Sequence, residues 1–160
     1  AAVYCSPLAR AVETAEEVAG LLGVRSTVLP GTQELAVGDL AGRPFADLPG
    51  AEVYAAWLAG DLAAPWPGGE TGVAILARMS SALDEVADRH RGEAVLVVSH
   101  GGVMSLVLPL LAVNAGSVRG NPPVLTNCAV VALERDGDGW RLVRPWPTPA
   151  AAESPASEQA

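Results

Sequence analysis

Apolar and polar positions along this chain follow two rhythms, and their succession predicts the elements. Val3, Tyr4 and Cys5 form a short apolar run that reads as a strand. Leu8, Val12, Ala15, Ala19 and Leu22 then recur at helical spacing, with Glu13, Glu16 and Glu17 on the solvated side. Ser6 and Pro7 suit the cap and first position of that helix, and Gly23 suits its end. Val24, Ser26 and Val28 alternate as a second strand, and 30–44 is a glycine-punctuated loop carrying Glu34. Residues 51–58 read as helix, whereas 60–72 is too rich in proline and glycine for a regular element. Val73, Leu76, Ala77, Leu83, Val86 and Ala87 mark a long amphipathic helix that ends near Arg89, with Glu70 and Thr71 placed to cap its start and substrate contact through their loop as the weaker alternative.

The sharpest change of rhythm comes at Val95 to Gly102. Four apolar residues are followed by Ser99, His100, Gly101 and Gly102, and then by a second apolar segment from Val103 to about Leu111, which Pro109 kinks or ends. This predicts a buried strand that delivers His100 to the carboxyl edge of a sheet, a turn without side chains, and a helix start. Ligands of open α/β sheets collect at that edge, and a helix N-terminus there suits a phosphate. Ala129 to Leu133 and Trp140 to Val143 flank Asp136-Gly137-Asp138-Gly139, a hairpin signal. The alternation of strands and helices predicts one layered α/β domain over residues 1–144, followed by a disordered tail over 145–160, where little can be buried.

Composition narrows the function. The chain has 160 residues and is 50% hydrophobic, enough for one core, built mostly from Ala, Val and Leu because only one Phe is present. The net charge of −8 disfavours a nonspecific grip on nucleic acid or anionic membranes, while leaving room for a local positive pocket. Cys5 and Cys128 have no paired spacing and read as small buried hydrophobes. With two Cys and two His, no zinc site is expected. No apolar run is long enough to span a bilayer and no secretory pattern opens the chain, so a cytoplasmic protein is the default expectation.

Candidate chemistry rests on few side chains. Arg10 lies in the first turn of the first helix, where its guanidinium can fold over a phosphate; alternatively it is a surface arginine paired with Glu13 or Glu17. Glu34 can serve as a general acid or base from its loop, or be a solvated loop glutamate. His90 falls before the amino end of a strand and reads as a solvated histidine compensating a helix dipole. Trp57 and Trp66 are read as buried packing rather than as pocket walls. GxxxxGK[ST], GxGxxG and GxSxG are all absent, and Ser99 or Ser105 as a hydrolase nucleophile lacks a neighbouring base and orienting acid.

Four segments in order resemble the histidine phosphatase superfamily, also called the phosphoglycerate mutase-like family. Tyr4 to Ala15 is similar to its "SSPLxRAxxTA" block, Glu34 to Gly42 to "ExxxGxLxG", Pro67 to Thr71 to "PGGES", and Val97 to Gly102 to "VSHGG". The resemblance runs from about Val3 to about Trp140. It implies a three-layer α/β/α fold with a mostly parallel sheet and hydrolysis of a small phosphomonoester through a phosphohistidine, without metal or other cofactor. By resemblance, Arg10 and His100 bind and stabilise the transferring phosphoryl group. Gly101 leaves room for the phosphate, and Glu34 protonates the leaving alkoxide and then helps deprotonate water.

The family's Arg-His-Gly, which supplies the nucleophile at the end of the first central strand, has no counterpart in the expected order. Arg89 to Gly92 imitates it at the wrong end of a strand. The expectation is therefore an N-terminally truncated phosphatase. The alternatives are a non-catalytic phosphoester-binding relative and a mutase-type phosphotransferase.

Overall fold

The computed structural model describes residues 1–43 and 51–147. Strand β1 (Ala2–Cys5) leads into helix α1 (Ala9–Leu22), then strand β2 (Ser26–Val28) and, after a long loop, helix α2 (Ala51–Leu58). Helix α3 (Gly72–Arg89), strand β3 (Val95–Val98) and helix α4 (Gly101–Leu111) follow, and strands β4 (Leu133–Asp136) and β5 (Gly139–Leu142) close the order. The first three strands make a parallel sheet in the order β2-β1-β3, with Cys5 beside both Val28 and Val98. Parallel register brings all three carboxyl ends to one edge, and β3 has no partner on its far side among the described residues.

Side-chain alternation along the strands explains the layers. Val3, Cys5, Leu96 and Val98 face one way and pack with Val12, Ala15 and Ala19 of α1. Tyr4, Val95 and Val97 face the other way, onto Ala82 and Val86 of α3. Beyond them, Ile75, Met79 and Leu83 of α3 meet Val103, Leu106, Val107 and Leu108 of α4 in the main core. The result is helix, sheet and helix pair, the three-layer α/β/α architecture.

Several sequence expectations shift. Helix α1 begins at Ala9 with Leu8 as its cap residue, not at Pro7 with Ser6. The Ser6 hydroxyl is occupied elsewhere, accepting from the Leu8 amide and contacting His100. Leu22, assigned to the buried stripe, is exposed, because α1 ends beyond the sheet's cover. Gly23 closes the helix at φ +67° as expected, donating to Ala19 and Gly20.

The buried face of α3 runs through Gly72, Ile75, Met79, Ala82, Leu83 and Val86, so Val73 and Ala77 point outward instead. Thr71 does cap this helix, accepting from the Ala74 amide at 3.2 Å. The hairpin forms, but its first strand starts only at Leu133. It is tied to α3 by the Trp140 indole on Asp84 and by Arg135 between Asp84 and Asp88.

Cys5 is buried, and burial followed by the charge of Glu16 pushes its thiol pKa up. Cys128 is exposed, contrary to expectation, in a positive-φ turn at +62°. Residues 148–160 of the expected tail lie outside the described residues. Within its first part, Trp146 is buried and donates to the Pro123 carbonyl. Among the described residues no helix is long and apolar enough to cross a membrane.

Candidate active site

The chain order and the parallel register put two short segments side by side. Ser6 follows the last residue of β1, and its amide donates to the Val98 carbonyl at 2.9 Å. His100 lies two residues past β3, as the cap residue of α4. The two therefore meet at the carboxyl edge, with His100 Nε2 2.7 Å from Ser6 Oγ. His100 is 6% exposed. Ser6 Oγ also accepts from the Leu8 amide, and its direction toward Nε2 follows the ring tautomer: the hydroxyl donates when the ring proton is on Nδ1 and accepts when it is on Nε2.

Burial lowers the pKa of His100, the charges of Arg10 and Arg78 lower it further, and Glu34 opposes them. The sign follows directly. The folded protein binds this proton less readily than the unfolded chain, whose histidine titrates near about 6.5. His100's contribution to stability is thus complete above that value and is lost as pH falls through the depressed folded pKa. Urea midpoints across pH 5 to 8 are expected to drop on the acid side, and to drop less in His100→Asn. An identical profile in the variant would contradict the assignment.

Arg10 is the second residue of α1 and is exposed, close enough for its charge to act on His100. Among the described residues it makes no ion pair with Glu13 or Glu17, contrary to the surface-pair alternative. Gly101 is the first residue of α4 and is exposed. A Cβ there would touch only the Leu125 carbonyl, at 3.8 Å, so the space above it is open.

Glu34 is half-buried rather than a solvated loop residue. Its carboxylate accepts from the Val103 amide at 2.7 Å, the Gly102 amide at 3.2 Å and the Leu35 amide at 3.1 Å. It thereby satisfies two of the N–H groups that the start of α4 leaves without helical partners. Gly102 is the residue that permits this approach. A Cβ there would stand 2.8 Å from Glu34 Oε1 and 3.2 Å from Leu35 Cδ1. Gly102→Ala is expected to push the Glu34 carboxylate off the helix and to cost about 1–3 kcal/mol in urea unfolding. An unchanged midpoint would refute the contact.

Sequence reasoning missed three contributors. Ser6 was read as a cap. Tyr54, on α2, carries a hydroxyl whose pKa burial and then the Glu34 charge push up to about 12. Arg78, on α3, joins Glu70 to the backbone of the Glu34 loop. A polar residue in the middle of an amphipathic helix was its only sequence signal.

His90 lies at the opposite end of the sheet. It is held rather than solvated, with Nε2 3.0 Å from the Tyr4 hydroxyl and Nδ1 3.0 Å from Glu93. Ser99 donates its hydroxyl to the Thr32 carbonyl, and Ser105 is buried within α4, so neither has a nucleophile's setting. Among the described residues no group of three or more His, Cys, Asp or Glu is placed to hold a metal ion. What this edge assembles is a buried histidine, an arginine near the start of α1 and a carboxylate held at the start of α4, a set suited to an anionic ester.

Comparison with known proteins identifies the family and the fold. The sequence profile of the histidine phosphatase superfamily (branch 1) matches residues 1–146. A phosphoglycerate mutase-like protein of Arabidopsis thaliana is 30% identical over 144 residues, covering 88% of this chain and 61% of that protein. A metal-independent phosphoserine phosphatase of the same plant is 36% identical over 113 residues, covering 66% of this chain and 46% of that protein. The chain thus spans about half to three-fifths of the length of these relatives. Among solved structures, YhfR of Bacillus stearothermophilus superimposes with a TM-score of 0.73 at 28% identity, covering 89% of this chain and 72% of that one. By profile, by relatives and by fold, the chain belongs to the histidine phosphatase superfamily.

Proposed function

We propose that this chain is the phosphate-binding and proton-transferring part of a phosphatase that hydrolyses a small phosphomonoester through a phosphohistidine. The observation that carries the reading is the meeting of Arg10, His100 and Glu34 at one carboxyl edge. Arg10 and His100 surround the phosphoryl oxygens with positive charge and donors, Gly101 gives the phosphate room, and Glu34 protonates the leaving alkoxide. A relative named as a metal-independent phosphoserine phosphatase supports chemistry of this class.

The attacking histidine is assigned to a segment outside these residues. The sequence has two histidines. His90 is held by Tyr4 and Glu93 at the far end of the sheet, and His100 is assigned to phosphate binding. The side of β3 that has no partner among the described residues gives such a segment a strand to pair with. The same observation about histidines favours a second reading, a phosphoester-binding protein without turnover.

The test is hydrolysis of p-nitrophenyl phosphate by the longest polypeptide encoded in frame with this chain, with no added metal. Turnover that collapses by at least about 10²-fold in His100→Ala supports the phosphatase. Undiminished turnover in that variant overturns the role of His100. Vanadate binding without turnover in the unaltered protein replaces the first reading with the second.

A further inference from the structure

Arg78 has no part in the resemblance that picked out Arg10, Glu34 and His100, yet it is the most fully engaged arginine of the molecule's described residues. A guanidinium has five N–H donors in a rigid plane. Here all five are used. Nε and one Nη2 proton reach the two oxygens of Glu70 at 2.8 and 2.9 Å, a two-pronged ion pair. Nη1 donates to the carbonyls of Gly31 at 2.7 Å and Gln33 at 2.8 Å. The second Nη2 proton reaches the carbonyl of Glu34 itself at 3.2 Å.

Glu70 completes the hold from the other side. Its Oε2 accepts from the Ala36 amide at 3.1 Å, and its own amide donates to the Ala36 carbonyl at 3.0 Å. The backbone of 31–36, with Glu34 near its centre, is thus fastened to α3 and to the loop before it. The Arg78 side chain is 15% exposed and Glu70 25%, so the pair is screened much less than a surface ion pair. The charge of Arg78 also reaches His100, lowering its pKa.

We propose that Arg78, paired with Glu70, is the positioning residue for Glu34: it fixes the loop backbone so that the Glu34 carboxylate sits on the start of α4, next to His100. Arg78 touches neither substrate nor a reacting atom in this role. Lysine keeps the charge but offers three donors from one point, so it can hold Glu70 or the carbonyls and not both groups in one plane. The importance of this placement for catalysis rests on the reading of Glu34 as the acid. The placement itself does not.

The test separates the two. Amide hydrogen exchange is measured on the full chain, unaltered and as Arg78→Lys. The expected result is at least about tenfold faster exchange at Gly102 and Val103, whose N–H groups Glu34 accepts, with the amides of β1 and β3 unchanged. Unaltered exchange at Gly102 and Val103, or an equal rise throughout the sheet, would overturn the proposal. Glu70→Gln removes only the carboxylate half of the hold, and serves if Arg78→Lys fails to fold. Its expected result is a smaller rise at the same two amides, and no rise there overturns the proposal.

In the catalytically active polypeptide, Arg78→Lys is further expected to lower kcat for an alkyl phosphate about tenfold more than for p-nitrophenyl phosphate, with KM little moved. Glu34→Gln is the reference. If it leaves that ratio unchanged, the acid role of Glu34 falls, while the exchange data still judge Arg78.

Discussion

Trp57→Ala is expected to lower the unfolding free energy by about 3–5 kcal/mol. Trp57 is fully buried, at 0% exposure. Its ring centroid lies 4.6 Å from that of Trp66 and 6.2 Å from that of Tyr54 in an edge-on contact. Its indole N–H donates to the Ala64 carbonyl at 2.7 Å, so truncation removes a hydrogen bond as well as a large apolar surface. Neighbours on an irregular loop, Ala64 and Trp66 among them, cannot refill the space without giving up their own contacts. Against a typical total of about 5–15 kcal/mol, the variant is left near the edge of folding. Urea unfolding followed by near-ultraviolet circular dichroism measures the loss, and a loss below about 1 kcal/mol would show that the aromatic cluster is not a keystone of this core.

The second large effect is kinetic. In the active polypeptide, Glu34→Gln is expected to slow hydrolysis of an alkyl phosphomonoester by about 10²- to 10⁴-fold. It should slow p-nitrophenyl phosphate far less, because a nitrophenolate leaves with little need of a proton. An equal slowing of both substrates would instead point to the step they share, attack of water on the phosphohistidine, or to phosphate binding, and would overturn leaving-group protonation as the main role of Glu34. Glutamine is not a neutral replacement here. One oxygen becomes an NH₂ group facing the N–H of Gly102 or Val103, which the carboxylate now satisfies. Unfolding curves of the same variant separate that loss from the loss of the proton.

Much of this was legible in the sequence, for reasons that particular residues make plain. The run Val95 to Val98 ending at His100 could only be a strand emptying onto a sheet edge, and the structure makes it β3. Gly23, Thr71 and the Asp-Gly repeat of the hairpin carry local backbone chemistry that acts wherever it occurs. The phase of α3 was misread because periodicity reports one buried stripe, whereas this helix is covered by the sheet on one flank and by α4 on another. Arg78 showed in the sequence only as a polar residue within an amphipathic helix, because three of its partners are backbone carbonyls, which every residue possesses and no residue type announces. Ser6 was seen as punctuation because its partner, His100, is far away in sequence and near only after β1 and β3 have paired.

Among the described residues, β3 keeps one side without a partner strand. The N–H and C=O groups pointing away from β1 form a template for another strand, and nothing in their chemistry names which strand it must be. A segment of the same polypeptide would enter as one more layer of the ladder. A second copy of the chain would meet this edge about a two-fold axis, so the two β3 strands would run antiparallel and join two small sheets into one twice as wide. The two solutions exclude each other, since the edge can be used once. A strand that pairs with this edge from within the polypeptide would therefore also close it to a second copy.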